Sequence, residues 1–137
     1  MKIRLTRTVG FLATHRYGKP EWSPERNQAR FGAAAEEHSH QYTCTVTVSG
    51  RPDPETDMVM DLPLLDRILE VEITRRFHGR SLHREVAEFT EGRALPTCEA
   101  LARDVFTRIE PRLPAGIALE RVTVAEDETL SAECSRE

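Results

Sequence analysis

The chain has 137 residues, of which 39% are hydrophobic and 31% are charged, a balance typical of a folded globular protein rather than a disordered one. Its net charge of −4 offers no basic surface for nucleic acid, and no apolar stretch approaches the roughly 20 residues that span a bilayer. The three cysteines lack metal-binding spacing, and the N-terminus lacks a signal-peptide core. We therefore expect a single domain over 1–137, located in the cytoplasm.

The first predicted element is a β-strand over residues 2–15, in which apolar and polar residues alternate. His15 ends this strand with the same parity as the apolar residues, so it lies on the face that they line. The apolar residues of this face are Leu5, Val9, Phe11 and Ala13.

A long connection, 16–37, follows and is rich in glycine, proline and charge. Connections of this length inside a compact domain are usually functional or mobile. Trp22 within it is either the lid of a pocket or an aromatic side chain packed against its own domain. Glu36 and Glu37 close the connection directly before the next strand.

The second predicted strand opens with the motif His38-Ser39-His40 and alternates cleanly to Val48. Residues two apart in a strand point to the same face, so the two imidazoles lie side by side. With His15 they would form a set of three neutral ligands with an open fourth position, as catalytic zinc requires. The alternative is that His38 and His40 only border a surface loop, because the motif is short.

The rest of the chain predicts a short strand over 57–62 and a helix capped by Asp61 that runs through about Arg75. A loop over 77–95 leads to a second helix, which Thr97 caps. Two antiparallel strands follow, over 116–128 and 129–134. This order predicts an α+β fold in which two helices cover one face of an antiparallel sheet.

Six short motifs occur in order along the chain: FLATH at 11–15, Asn27 with FG at 31–32, HSHQY at 38–42, DMVMDL at 57–62, PTCEALA at 96–102 and VAE at 124–126. Together they resemble the 6-pyruvoyltetrahydropterin synthase / 6-carboxytetrahydropterin synthase (QueD-like) family. The resemblance extends over about residues 3–134. Each motif is weak alone, whereas six in the right order are specific.

The resemblance implies the T-fold (tunnelling fold), an antiparallel four-stranded sheet with two helices on one face. Subunits of this fold join edge to edge into rings, so we expect a homo-oligomer, commonly a hexamer built as a dimer of trimers. The active sites, which would take a small-molecule substrate, are expected between subunits.

The resemblance also implies a zinc ion held by His15, His38 and His40. It assigns the binding of a pterin ring to Glu126, with help from the region of Thr97 and Glu99. A carboxylate suits this role because it can accept two parallel N–H bonds from an aminopyrimidinone edge. Trp22 is a further candidate for substrate contact.

The catalytic residues of the family are not retained. The family's cysteine lies two residues after the FG pair, where this chain has Ala34. Its Asp-His pair aligns with His78-Gly79. The family reaction needs a base that takes a carbon-bound proton and an acid that returns it, and alanine can do neither.

Other side chains are therefore expected to carry the proton transfers. We prefer His78 over His83 on the same loop, because the unperturbed pKa of histidine lies near neutrality. Glu36 and Glu37 are candidates because they adjoin the ligand strand, and Glu99 because it opens a helix.

These observations predict a zinc-dependent enzyme of this family that is repurposed for a small carbonyl, polyol or heteroaromatic substrate. Carbon–carbon lyase chemistry, or a condensation and cyclisation of Pictet–Spengler type, suits retained metal ligands without the cysteine. Two alternatives stay open: a non-catalytic homologue that binds zinc and a pterin-like ligand, and a true synthase with displaced catalytic residues.

Overall fold

The computed structural model describes residues 1–90 and 92–137. The strands are β1 Ile3–His15, β2 His38–Gly50, β3 Arg80–Ser81, β4 Ala118–Ala125 and β5 Ser131–Ser135. The α-helices are α1 Pro24–Phe31, α2 Leu62–Leu69, α3 Arg75–Phe77, α4 Leu82–Glu85 and α5 Cys98–Ile109. A π-helical turn, Glu70–Thr74, joins α2 to α3, and short 3₁₀ turns span Gly32–Ala35, Ala87–Phe89 and Glu110–Arg112.

The strands form one sheet in the order β3-β1-β2-β4-β5. The four longer strands pair antiparallel, as predicted. The short β3 adds a fifth strand, which runs parallel to β1 through the pairs Ala13↔Arg80 and Thr14↔Ser81. The predicted α+β T-fold is confirmed, with this two-residue extension at the edge of β1.

The pairing of β1 with β2 determines where the functional side chains lie. It runs without interruption from Ile3↔Gly50 to His15↔His38. Residues directly opposite each other in an antiparallel pair point to the same face. The register therefore places the end of β1 and the start of β2 on one face, at one end of the sheet.

That face of the sheet is buried beneath the helices. Phe11 stacks on Tyr42 with ring centroids 4.8 Å apart, and the helices contribute Leu65, Leu101 and Ile109 to the same core. The opposite face carries paired hydroxyls instead. These pairs are Thr6–Thr47 at 3.1 Å, Thr8–Thr45 at 3.0 Å and Thr14–Ser39 at 2.8 Å.

The first helical segment continues from Leu62 to Phe77 through the π-helical turn. Asp61 caps it, because its carboxylate accepts a hydrogen bond from Leu64 N at 3.2 Å. Arg76, near its end, donates to Asp104 of α5 at 2.5 Å. This ion pair ties the two helical segments together beside the core.

Three local predictions differ from the structure. The connection 16–37 contains α1, because Ser23 accepts a hydrogen bond from Arg26 N and Pro24 occupies the first turn. The strand predicted over 57–62 does not form, since Asp57 adopts a positive φ of 60° and bends the chain. The predicted loop 77–95 contains β3 and α4, and its Glu91 lies outside the described residues.

No helix among residues 1–90 and 92–137 is long and apolar enough to cross a membrane.

The cap of α5 gives a stability prediction. Thr97 Oγ1 accepts a hydrogen bond from Ala100 N at 3.0 Å, so Thr97→Ala should lower the free energy of unfolding by about 1 kcal/mol. Urea denaturation measures this change, with Thr97→Ser as the control that keeps the hydroxyl. Equal stability of the alanine variant and the wild type would contradict the capping role.

Candidate metal centre

Three histidines meet at the end of the β1–β2 pair. The ring centroids of His15, His38 and His40 are 4.5 to 5.0 Å apart. One ring nitrogen of each can be chosen so that all three atoms lie within 4.8 Å of one another. The alternating pattern of the two strands thus produces the cluster that the sequence suggested.

Hydrogen bonds fix the orientation of two of these rings. His15 Nδ1 lies 2.9 Å from the carbonyl oxygen of Pro96, and His38 Nδ1 lies 2.8 Å from that of Glu36. A carbonyl oxygen only accepts, so Nδ1 carries the hydrogen and Nε2 carries the lone pair in both rings. Backbone carbonyls commonly orient metal-ligating histidines in this way.

The cluster fits a metal ion. His15 Nε2 and His40 Nε2 are buried, and neither has a hydrogen-bond partner among the described residues. Burial, the largest influence, lowers the pKa of His15 to about 4, so its imidazole is neutral at neutral pH. A neutral imidazole is the form that binds a metal.

Glu126 reaches the cluster from β4. It follows Ala125, and its backbone N–H donates to Leu130 O at 3.2 Å to close the β4–β5 turn. Its Oε2 lies 3.5 Å from His40 Nε2 and 3.8 Å from His15 Nε2. The carboxylate therefore lies directly beside the three imidazoles.

The N-terminus of α5 lies next to the same cluster. The carbonyl of Pro96 contacts His15, and Thr97 follows as the helix cap. Cys98 is buried, and burial together with the charge of Glu126 raises the pKa of its thiol to about 11. Glu99 lies exposed in the first turn of the helix.

Glu37 has two nitrogen partners near the cluster. Its carboxylate lies 3.6 Å from His83 Nε2 and 3.7 Å from Arg84 Nη2. His83 is only 4% exposed and lies close enough to His15 to influence its pKa. The sequence favours His78 over His83. The apolar Leu82 beside His83 was the available sequence signal for a buried turn, and in the structure Leu82 is buried and draws His83 into the core.

Two other predicted catalytic residues, His78 and Glu36, have exposed side chains, as Glu37 does at 40% exposure. His78 is exposed, and its Nδ1 accepts a hydrogen bond from Leu12 N at 3.1 Å, at the edge of β1. The side chain of Glu36 is exposed, while its backbone carbonyl orients His38. Ala34, at the position of the family's cysteine, accepts a hydrogen bond from Tyr17 N at 2.8 Å.

Trp22 is connected to the cluster through other aromatic rings. It stacks on Phe31 with ring centroids 5.9 Å apart. The centroids of Phe31 and Tyr17 are 6.0 Å apart, and those of Tyr17 and His15 are 5.0 Å apart. Trp22 also lines a cleft of about 430 Å³ together with Arg16. The indole thus borders an open cleft two rings away from the histidines.

Comparison with known proteins identifies the family. The family model described as 6-pyruvoyl tetrahydropterin synthase matches residues 4–137. The 6-pyruvoyl tetrahydrobiopterin synthase of Homo sapiens is 32% identical over 127 residues, which cover 91% of this chain and 86% of the human one. That of Drosophila melanogaster is 32% identical over 124 residues, which cover 89% and 73%.

Solved structures share the fold. The Caenorhabditis elegans 6-pyruvoyl tetrahydropterin synthase matches with a TM-score of 0.88 at 24% identity, covering 100% of this chain and 97% of the other. A Plasmodium vivax 6-pyruvoyltetrahydropterin synthase matches with a TM-score of 0.70 at 12% identity, covering 99% and 98%. With a family model matched over nearly its whole length, the chain belongs to the 6-pyruvoyl tetrahydropterin synthase family.

Proposed function

We propose that this protein is a zinc-dependent lyase of its family, acting on a pterin-like heteroaromatic substrate with a hydroxylated or carbonyl-bearing side chain. The observation that carries the proposal is the convergence of three imidazoles on one point, two of them with buried Nε2 atoms that have no hydrogen-bond partner among residues 1–90 and 92–137. Ligands of this type and number suit catalytic zinc.

The bound zinc would supply Lewis-acid polarisation of a substrate hydroxyl or carbonyl oxygen. Glu126 is proposed to bind the heteroaromatic ring, because a carboxylate accepts two parallel N–H bonds from an aminopyrimidinone edge. The exposed Glu99 and the backbone around Thr97, at the start of α5, border the same place. Trp22 would contact the substrate only where it extends into the neighbouring cleft.

Glu37 is the proposed base that takes a proton from carbon. It immediately precedes the proposed ligand His38 in the chain, and its carboxylate contacts His83, which lies close enough to His15 to influence its pKa. His83 and Arg84 contact this carboxylate and would hold it in place. Positioned general bases contribute typically 10²–10⁴-fold to a rate.

A carboxylate in this role has a parallel in a related fold. Two structures of the Plasmodium vivax synthase carry cysteine or alanine in place of a glutamate described as a catalytic residue. A glutamate thus acts in catalysis in one protein of this fold. This parallel supports Glu37 as the base in a chain that has Ala34 at the position of the family's cysteine.

The replacement of that cysteine also favours a second candidate, the condensation or cyclisation of an aldehyde with an aromatic amine. Both candidates use the same metal ligands and a base near them. The cytoplasmic location remains a prediction from the cysteines and the N-terminus, and the hexameric assembly with sites between subunits remains a prediction from the sequence resemblance.

Metal content tests the foundation of the proposal. Protein purified without added zinc should contain about one zinc per chain, and His38→Ala should lose most of it because one of three ligands is gone. Plasma emission spectrometry measures the content. His78→Ala serves as the matched control and should retain the metal; a wild type without metal would refute the zinc-dependent function.

The base is tested by a pair of neighbouring substitutions. Glu37→Gln should lower kcat by about 100-fold or more, whereas Glu36→Gln should change it by less than about 5-fold, because only Glu37 contacts His83 and Arg84. Turnover of dihydroneopterin triphosphate, and of an aldehyde with an aromatic amine, is followed in parallel with zinc content. A Glu37→Gln variant that retains full turnover with bound zinc would rule out this base.

The same assay includes His78→Gln, since the sequence favoured His78. A loss of turnover confined to His78→Gln would assign the proton transfer to His78, at the edge of β1, instead of to Glu37. Turnover of dihydroneopterin triphosphate would support the pterin-like substrate, and turnover of the aldehyde and amine alone would support the second candidate.

A further inference from the structure

Three buried polar atoms face one another at the metal centre without hydrogen-bond partners among the described residues: His15 Nε2, His40 Nε2 and Glu126 Oε2. The side chain of Glu126 is 12% exposed and that of His15 is 1% exposed. Burying an unpaired polar atom is unfavourable, and burying an unpaired charge is more so. This group of atoms therefore requires a partner.

A simple ion pair does not explain the contact between Glu126 and His15. Because His15 Nδ1 carries the hydrogen that is donated to Pro96 O, Nε2 presents a lone pair to the carboxylate. Two acceptors then face each other at 3.8 Å. A cation between them would turn this repulsion into attraction.

The distances match those between ligands of one metal ion. In a tetrahedral zinc site with bonds of about 2.0–2.1 Å, neighbouring ligand atoms lie about 3.3–3.4 Å apart. Glu126 Oε2 lies 3.5 Å from His40 Nε2, close to that value, and 3.8 Å from His15 Nε2. A movement of a few tenths of an ångström would bring both of these distances to the tetrahedral value.

We infer that Glu126 is a fourth protein ligand of the zinc ion in the resting protein, and that it leaves the metal when a substrate binds. The inference rests on the proposed function, which assigns the same carboxylate to the substrate ring. The carboxylate cannot ligate the metal and hold the ring with the same oxygen. Substrate binding would thus open the coordination position that its own hydroxyl or carbonyl occupies.

The local backbone suits this exchange. Glu126 begins the β4–β5 turn, where the carboxylate of Asp127 accepts hydrogen bonds from Thr129 N and Leu130 N, so the backbone beside Glu126 is held in place. Glu128, in the same turn, is exposed and offers a matched charge for comparison.

Zinc affinity and cobalt spectra of the full chain test the inference. Glu126→Gln should weaken zinc binding about 10- to 100-fold in chelator competition, whereas Glu128→Gln should leave it within about 2-fold. In the Co²⁺-substituted protein, Glu126→Gln and Glu126→Asp should both change the visible bands, because glutamine offers only a neutral amide oxygen, a weaker ligand than a carboxylate, and the shorter aspartate places its oxygen elsewhere. Glu128→Gln should leave the bands unchanged.

The outcomes separate this inference from the proposed function. If the wild type binds zinc tightly and Glu126→Gln changes neither the affinity nor the cobalt bands, Glu126 is not a ligand, while the zinc enzyme stands. If Glu126→Gln weakens binding but leaves the bands unchanged, the effect is one of charge alone and ligation is refuted. A wild type that binds neither metal would overturn both.

Discussion

The register between β1 and β2 is the constraint on which the site depends. It pairs His15 with His38 and Ala13 with His40, so all three imidazoles project from the same end of the same face. A slip of one residue would turn a strand's side chains to the other face, where the hydroxyl pairs lie. The stacked rings of Phe11 and Tyr42 oppose such a slip, because they form the buried pair next to Ala13 and His40 on the same face.

The ring of His15 couples this sheet to the helical layer. Its Nδ1 contacts both Pro96 O and the hydroxyl of Tyr42, at 2.9 and 3.0 Å. Pro96 immediately precedes the cap of α5, so the orientation of a proposed metal ligand depends on where that helix begins. The same contact places the first turn of α5 beside Glu126, and one buried ring thereby aligns the proposed metal ligands with the residues proposed to hold a substrate.

Periodicity was sufficient for the parts of the site that lie within strands or at helix caps. His15, His38 and His40 follow from alternation, and Thr97 and Asp61 from their position before an apolar stripe. Periodicity could not predict contacts between loops. The approach of Glu37 to His83 joins residues 46 positions apart through tertiary packing, and no local pattern encodes it.

The helix α1 was not predicted, although the sequence contains a signal for it. Ser23 followed by Pro24 is a typical helix start, but the glycine and proline content of the whole connection favoured a loop. The short β3 has only two residues and forms because β1 offers an open edge there. Such an element arises from its neighbour rather than from its own propensity.

The position of the family's cysteine underlies the proposal that another residue moves the proton. The 3₁₀ turn Gly32–Ala35 is held by the bond from Tyr17 N to Ala34 O, so the backbone of this position stays near the cluster while its side chain is reduced to a methyl group. Cys98 is a second thiol close to Glu126, yet burial and that neighbouring charge keep it protonated at neutral pH. A protonated, buried thiol cannot accept a proton from carbon, which supports the proposal that a carboxylate such as Glu37, directly before β2, takes this role.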